Sequence, residues 1–274
     1  RCRSDGAAVR AQGPEHVDAM QERGLTVKCA FNDASFEGIP VRALHLHQLQ
    51  NEPELFDYAF VCVKSYDTKW AATLCRNYLK PEGAFVSFQN GINEYVLAET
   101  VGAEHCLGVA ILIAAAVFEP GVAERFDTRD SPFHIGEQTG PASDRARELV
   151  GLFEAASVGG AETIDDLIAE RWAKLSVNCY VNALGGLSGL GSSTMRRDPL
   201  TVALGTQLSA EVVKVGRALG VEIPDFFGIE LCASSPLQPA AVCCLLLPHV
   251  ELCWLRAAIG WWRRRTATLR RRPT

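Results

Sequence analysis

The sequence predicts an α/β domain built on a parallel sheet, followed by an all-helical domain. Three observations carry this reading. From Asp57 to Ala116, short apolar runs alternate with helix-like segments, the rhythm of a parallel sheet covered on both faces. After Pro120-Gly121 and the polar stretch 136–144, the apolar spacing changes from two residues to near four, as strands give way to helices. The chain has 274 residues, 48% of them hydrophobic, enough to bury the cores of two ordinary domains.

Taken in order, Leu25 to Cys29 and Val41 to Leu44 read as short strands, the second just after Pro40. Tyr58 to Val63 is a buried strand. Asp67 or Thr68 caps the following helix, which runs to about Leu79, and Pro81-Glu82-Gly83 turns the chain into a strand over Ala84 to Phe88. A helix follows Gly91-Ile92, and Cys106 to Ala115 is a third apolar run. Helices are expected at Ser143 to Ala156, Thr163 to Leu184 and Leu200 to Leu219, the last ending at Gly220. The boundary falls near residue 160, giving an α/β domain over 1–160, a helical domain over 161–238 and an atypical tail over 239–274.

A net charge of -5 gives no general attraction to phosphate backbones or anionic lipid, so neither nucleic acid nor a membrane is an expected partner. In the tail, Pro248, His249, Glu251 and Arg256 interrupt the apolar run, which therefore falls short of a membrane span. The ten cysteines mostly sit inside apolar runs such as Phe60-Val61-Cys62-Val63 and read as reduced core residues. No CxxC pair occurs, and the adjacent Cys243-Cys244 does not match zinc spacing, so no metal is expected. A reducing, cytoplasmic setting follows. No apolar N-terminal segment reads as a signal peptide.

The segment richest in chemistry is the expected helix Thr163 to Leu184. It is mostly apolar, yet Lys174, Asn178 and Asn182 recur every four residues, on one face. An amine and two amides are costly to bury without partners, which points to a polar pocket; a surface lysine beside two structural asparagines fits the spacing equally well. Lys64 directly follows a buried strand, at the carboxyl edge where open α/β sheets bind ligands. It suits either cofactor anchoring or plain solvation. Gln89-Asn90-Gly91 ends the next strand at the same edge and reads on its own as a tight turn.

Trp172-Ala173-Lys174-Leu175-Ser176-Val177-Asn178-Cys179-Tyr180-Val181-Asn182-Ala183-Leu184 resembles the catalytic helix of the ketopantoate reductases almost position for position. The strand-Lys segment ending at Lys64, the Gln-Asn-Gly turn, Gly108, Pro120-Gly121-Val122 and Ile135-Gly136-Glu137 follow in that family's order. The resemblance covers roughly residues 10 to 230 and implies a Rossmann-type sheet joined to a helical domain, with the active site between them. It implies NADPH-dependent reduction of 2-dehydropantoate to pantoate, in the pathway to pantothenate and coenzyme A. Lys174 would be the general acid, Asn178 would orient it and the substrate, and Asn182 would hold the substrate's polar end. Asn90 would touch both nicotinamide and substrate, and Lys64 would help hold NADP. The partner would be a small 2-keto acid, and a homodimer is compatible with the reading.

Both ends depart from the family's pattern. The G-x-G-x-x-G turn that holds the pyrophosphate does not occur ahead of Val9-Arg10-Ala11, which resembles the end of the family's second strand. By that resemblance Arg10 would meet the 2′-phosphate of NADP, and the first βα unit is missing. Ser234-Ser235-Pro236-Leu237-Gln238 resembles the segment that gives a serine, here Ser235, to the substrate carboxylate. The Thr-Glu-Ile-Asp segment expected after it is absent. Two further readings stay open: a non-catalytic interaction protein of the same fold, and a reductase of another 2-keto acid.

Overall fold

The structure, a computed structural model, describes residues 8–9 and 13–224 apart from 33, 53, 127–132 and 157–159. Arg10, Ser235 and the tail beyond 238 lie outside the described residues.

Helix α1 (Pro14–Arg23) follows the short strand β1 (Ala8–Val9) and begins on a proline, whose fixed φ suits the first turn. It ends at Gly24, where φ is +76° and a Cβ would lie 2.8 Å from the backbone of Gly38 and Ile39. Strands β2 (Leu25–Cys29) and β3 (Ala34–Ile39) form an antiparallel pair, and β4 (Arg42–Ala43) lies parallel to β1.

The central layer follows. Strand β5 (Phe56–Val61) is succeeded by helix α2 (Thr68–Cys75), strand β6 (Leu79–Ser87), helix α3 (Glu94–Val101) and strand β7 (Cys106–Ala110). Strands β5, β6 and β7 are mutually parallel. Both faces are covered, as the near-continuous apolar runs require. Ala84 and Val86 of β6 and Leu107 and Val109 of β7 face one way, toward Ala146 and Leu149. Phe85, between them, faces the other way with Val61, Ala72, Leu97 and Val101.

Four expectations need correction here. Pro81-Glu82-Gly83 does not separate helix from strand: it lies within β6, as an irregularity between the pairs Phe56↔Leu79 and Tyr58↔Ala84. The run from Cys106 splits after Ala110, and Ala115 begins β8 (Ala115–Glu119), which returns antiparallel as β9 (Val122–Arg125) around Gly121. These two strands complete a second, four-stranded sheet in the order β3-β2-β9-β8. The run around Cys62 is not wholly buried, because among the described residues β5 is an edge strand of its sheet: Phe60 is 52% exposed and Cys62 is exposed. Finally, the five-stranded sheet is mixed, since β10 (Phe133–Glu137) runs antiparallel to β7.

Helix α4 (Asp144–Ala155) is capped by Ser143, whose Oγ accepts from the Ala146 N–H. Strand β11 (Ala161–Thr163) then joins β10 at the sheet edge, so Thr163 is in a strand and not in the helix expected there. Helix α5 (Leu167–Ser188) is capped by Asp166, which accepts from Ala169 N–H at 2.9 Å, and stops at Gly189 in the left-handed region. After the one-turn α6 (Ser192–Met195), helix α7 (Pro199–Ala218) packs along α5. Ser209 Oγ donates to Ser176 O, Val213 meets Ala173, and Gly205 and Gly216 leave room for the rings of Tyr180 and Trp172. Helix α5 also rests on β7 and β10, which brings the helical part of the chain onto the sheet.

Candidate active site

The site begins at the carboxyl ends of β5 and β6. Val61 is paired with Ser87, so Lys64 and Asn90 each lie three residues past the same register position on adjacent parallel strands. Both side chains are exposed. The loops carrying them are tied together by Gln89, which is buried. Its Nε2 donates to Val63 O at 2.7 Å and to Thr68 Oγ1 at 2.8 Å, while Thr68 Oγ1 donates to Ser65 O at 2.8 Å. Gly91 turns the chain at φ +85°, and Asn93 Nδ2 closes the turn by donating to Asn90 O at 2.8 Å.

Helix α5 docks on this edge through Arg171. Its Nη1 donates to Gln89 O at 2.8 Å, its Nη2 to Ser87 O at 2.9 Å, and its Nε to Glu94 Oε1 at 2.8 Å. The Arg171 and Glu94 side chains have no exposed surface, and their closest ion-pair distance is 2.5 Å. A buried guanidinium needs its donors filled and its charge balanced; two backbone carbonyls and one carboxylate do this. Gly108 makes the room: a Cβ there would stand 2.7 Å from Glu94 Oε1 and 3.3 Å from Arg171 Nη2.

Lys174 lies one turn along α5 from Arg171 and is only 5% exposed. Burial, chiefly, and the neighbouring Arg171 cation lower its pKa from 10.5 to about 8, against a smaller opposing pull from the Glu94 carboxylate. Among the described residues its amine has no hydrogen-bond partner, so it is a desolvated acid held by its surroundings. Asn178 is half-buried and Asn182 exposed, so the expected line runs outward from a buried amine to an open amide.

Sequence reasoning thus located the helix, the turn and the lysine, and the structure sets the lysine's helix against the turn. It overlooked Arg171 and Glu94, which join them, and the strapping role of Gln89. Arg171 carries a legible signal, because 171, 174, 178 and 182 continue one polar stripe along an otherwise apolar helix. Glu211 is exposed on α7. Among the described residues no cluster of metal-ligating side chains occurs. No helix among them is long and apolar enough to cross a membrane.

A parallel sheet edge bearing exposed polar residues, with a long helix docked on it, defines a Rossmann-type α/β fold with a helical C-terminal part. Two family matches make the class specific. Ketopantoate reductase PanE/ApbA matches residues 6–140, and Ketopantoate reductase PanE/ApbA C terminal matches residues 166–233. The chain belongs to the ketopantoate reductase family.

Among curated relatives, a 2-dehydropantoate 2-reductase of Halobacterium salinarum is 32% identical over 173 residues, covering 62% of this chain and 55% of that protein. One from Pyrobaculum aerophilum is 29% identical over 167 residues, covering 61% and 53%. The chain spans about half the length of these relatives. Among solved structures, a PanE/ApbA family ketopantoate reductase from Ralstonia eutropha superposes with a TM-score of 0.64 at 26% identity, covering 78% of this chain and 67% of that one. A D-mandelate dehydrogenase solved with NADH and anilino(oxo)acetate shares the fold, with a TM-score of 0.69 at 15% identity over 95% and 84% of the two chains.

Proposed function

We propose that the protein reduces 2-dehydropantoate to pantoate with NADPH, in the cytoplasmic route to pantothenate and coenzyme A. The observation that carries this is the state of Lys174: a buried amine, pKa about 8, on the helix docked against the Gln89-Asn90-Gly91 turn. Exposed Lys64 and Asn90, at one level past adjacent parallel strands, offer a cation and an amide, a donor set that suits the phosphates and carboxamide of a nicotinamide dinucleotide. The cofactor would supply a hydride to the keto carbon.

The chain's own part is positioning and proton supply. As the carbonyl oxygen gains negative charge, Lys174 delivers its proton there, and the oxygen ends as the hydroxyl of the product. An acid of pKa about 8 is still mostly protonated at neutral pH yet gives its proton up more readily than an ordinary lysine. The neutral amine left behind is the form that a buried site favours. Asn178 orients substrate and amine, Asn182 holds the substrate's polar end, and Asn90 spans substrate and nicotinamide. Resemblance alone adds Ser235 for the carboxylate and Arg10 for the 2′-phosphate.

The test is turnover of 2-dehydropantoate by the full-length protein. Lys174→Ala should lower kcat about 10²–10⁴-fold, with NADPH affinity little changed, because the amine acts on the transition state. Lys64→Ala should do the reverse. Near-normal kcat in Lys174→Ala would overturn the assignment, and turnover of a different 2-keto acid alone would keep the chemistry and change the substrate.

A further inference from the structure

A fully buried arginine, Arg171, stands one turn before Lys174 on α5. A guanidinium sealed inside a protein is costly, and an apolar pair of similar volume would serve packing as well. Arg171 nevertheless spends its donors on the Ser87 and Gln89 carbonyls and on Glu94, all at the carboxyl end of β6 or the start of α3. Glu94 keeps its second oxygen, Oε2, buried and without a hydrogen-bond partner among the described residues. The pair bridges 77 residues of sequence and is admitted by the missing side chain at Gly108.

We propose that Arg171 and Glu94 are positioning residues, locking α5 onto the edge of the sheet and so fixing where the Lys174 ammonium stands and which charges it meets. The inference rests on Lys174 being the proton donor. Position and charge follow from the same contacts. The fork of Arg171 sets the axial register of α5 against Gln89, and Lys174, three residues later, inherits that register. The two charges that act on Lys174 are those of the pair, Arg171 lowering its proton affinity and Glu94 raising it. The titratable groups on the other elements packed against α5 are Cys106 on β7, His134 and Glu137 on β10, and Glu211, Lys214 and Arg217 on α7; none contributes.

The test reads Lys174 directly and needs no turnover. The lysine ammonium resonances are followed by NMR through a pH titration, with Lys174 assigned by its loss in Lys174→Ala. Glu94→Gln, which removes the anion, should lower the Lys174 midpoint, because the pull that opposes the Arg171 cation is lost. Arg171→Met combined with Glu94→Gln should raise the midpoint instead, because the net influence of the pair is that of its cation. If Glu94→Gln fails to fold with an unbalanced buried cation, the double variant carries the test, since neutral replacement of both partners is commonly tolerated. An unmoved midpoint in a folded variant would overturn the proposal. So would failure of the double variant to fold, which would make the pair a folding element only. If the midpoints move as stated while Lys174→Ala keeps its activity in the full-length protein, the positioning stands and the proposed acid role falls.

Discussion

Replacing Lys174 with Met should make the protein more stable. In the folded state burial and Arg171 lower the Lys174 pKa from 10.5 to about 8. At about 1.36 kcal/mol per pH unit, that gap corresponds to about 3 kcal/mol of folding free energy spent on keeping a charge in a dry place. Below pH 8 the amine is protonated in both states and the cost is fully present. Between about 8 and 10.5 the folded protein releases the proton first, the unfolded chain binds more protons, and stability climbs with pH. Above 10.5 the cost is gone. Methionine has similar volume and no charge, so Lys174→Met should gain up to about 3 kcal/mol at pH 7, with the advantage shrinking to nothing by about pH 10.5. Urea unfolding of both proteins across this range gives the difference. Subtraction matters, because the Cys106 thiol and the Tyr58 hydroxyl, raised from 9.0 and 10.0 to about 12 by burial first of all, cost the fold stability as pH rises from those values toward 12, which overlaps the upper part of this range. Equal stability of the two proteins at pH 7, or a difference that does not change with pH, would refute the account of Lys174 as a desolvated cation.

Three further outcomes follow from packing and capping. Gly108→Ala should cost about 1–3 kcal/mol, because the new methyl meets Leu167 and the Glu94–Arg171 pair, and urea midpoints would show it; no loss would mean the pair has slack. Gly205→Ala places a methyl inside the Tyr180 ring and should destabilise by a similar amount, and pairing it with Tyr180→Ala should recover part of the loss, which a double-mutant cycle measures. Asp198→Ala removes the acceptor for the Thr201 N–H at the start of α7 and should cost about 1 kcal/mol, read from thermal unfolding.

How much of this was legible depended on how local each feature is. Strands β5, β6 and β7 stood out because bounded apolar runs covered on both faces leave a plain pattern, and α4 because Ser143 caps it. Pro81-Glu82-Gly83 misled because proline and glycine mark a break in pairing without saying whether the strand resumes; here it does, at Ala84. Phe60 and Cys62 read as buried because a run of apolar residues does not tell which strand will lie at the edge. Lys174, Asn178 and Asn182 were visible through helical spacing. Arg171 extends the same stripe, but its pairing with Glu94 was hidden, because each is a charge that only the other makes tolerable inside, and nothing in either local sequence names a partner 77 residues away.

Gln89 has a consequence for how this site can vary. One amide group grips the loop that bears Lys64, through Val63 and Thr68, while its own backbone carries Asn90 and accepts from Arg171. The Lys64 loop, the Asn90 turn and the lysine's helix therefore share a single mechanical hinge pin. Loop exchange between relatives would have to carry the segments around 63–68 and 87–94 together. Transplanting either alone would leave a severed amide in a closed interior and disturb chemistry at a distance from the graft.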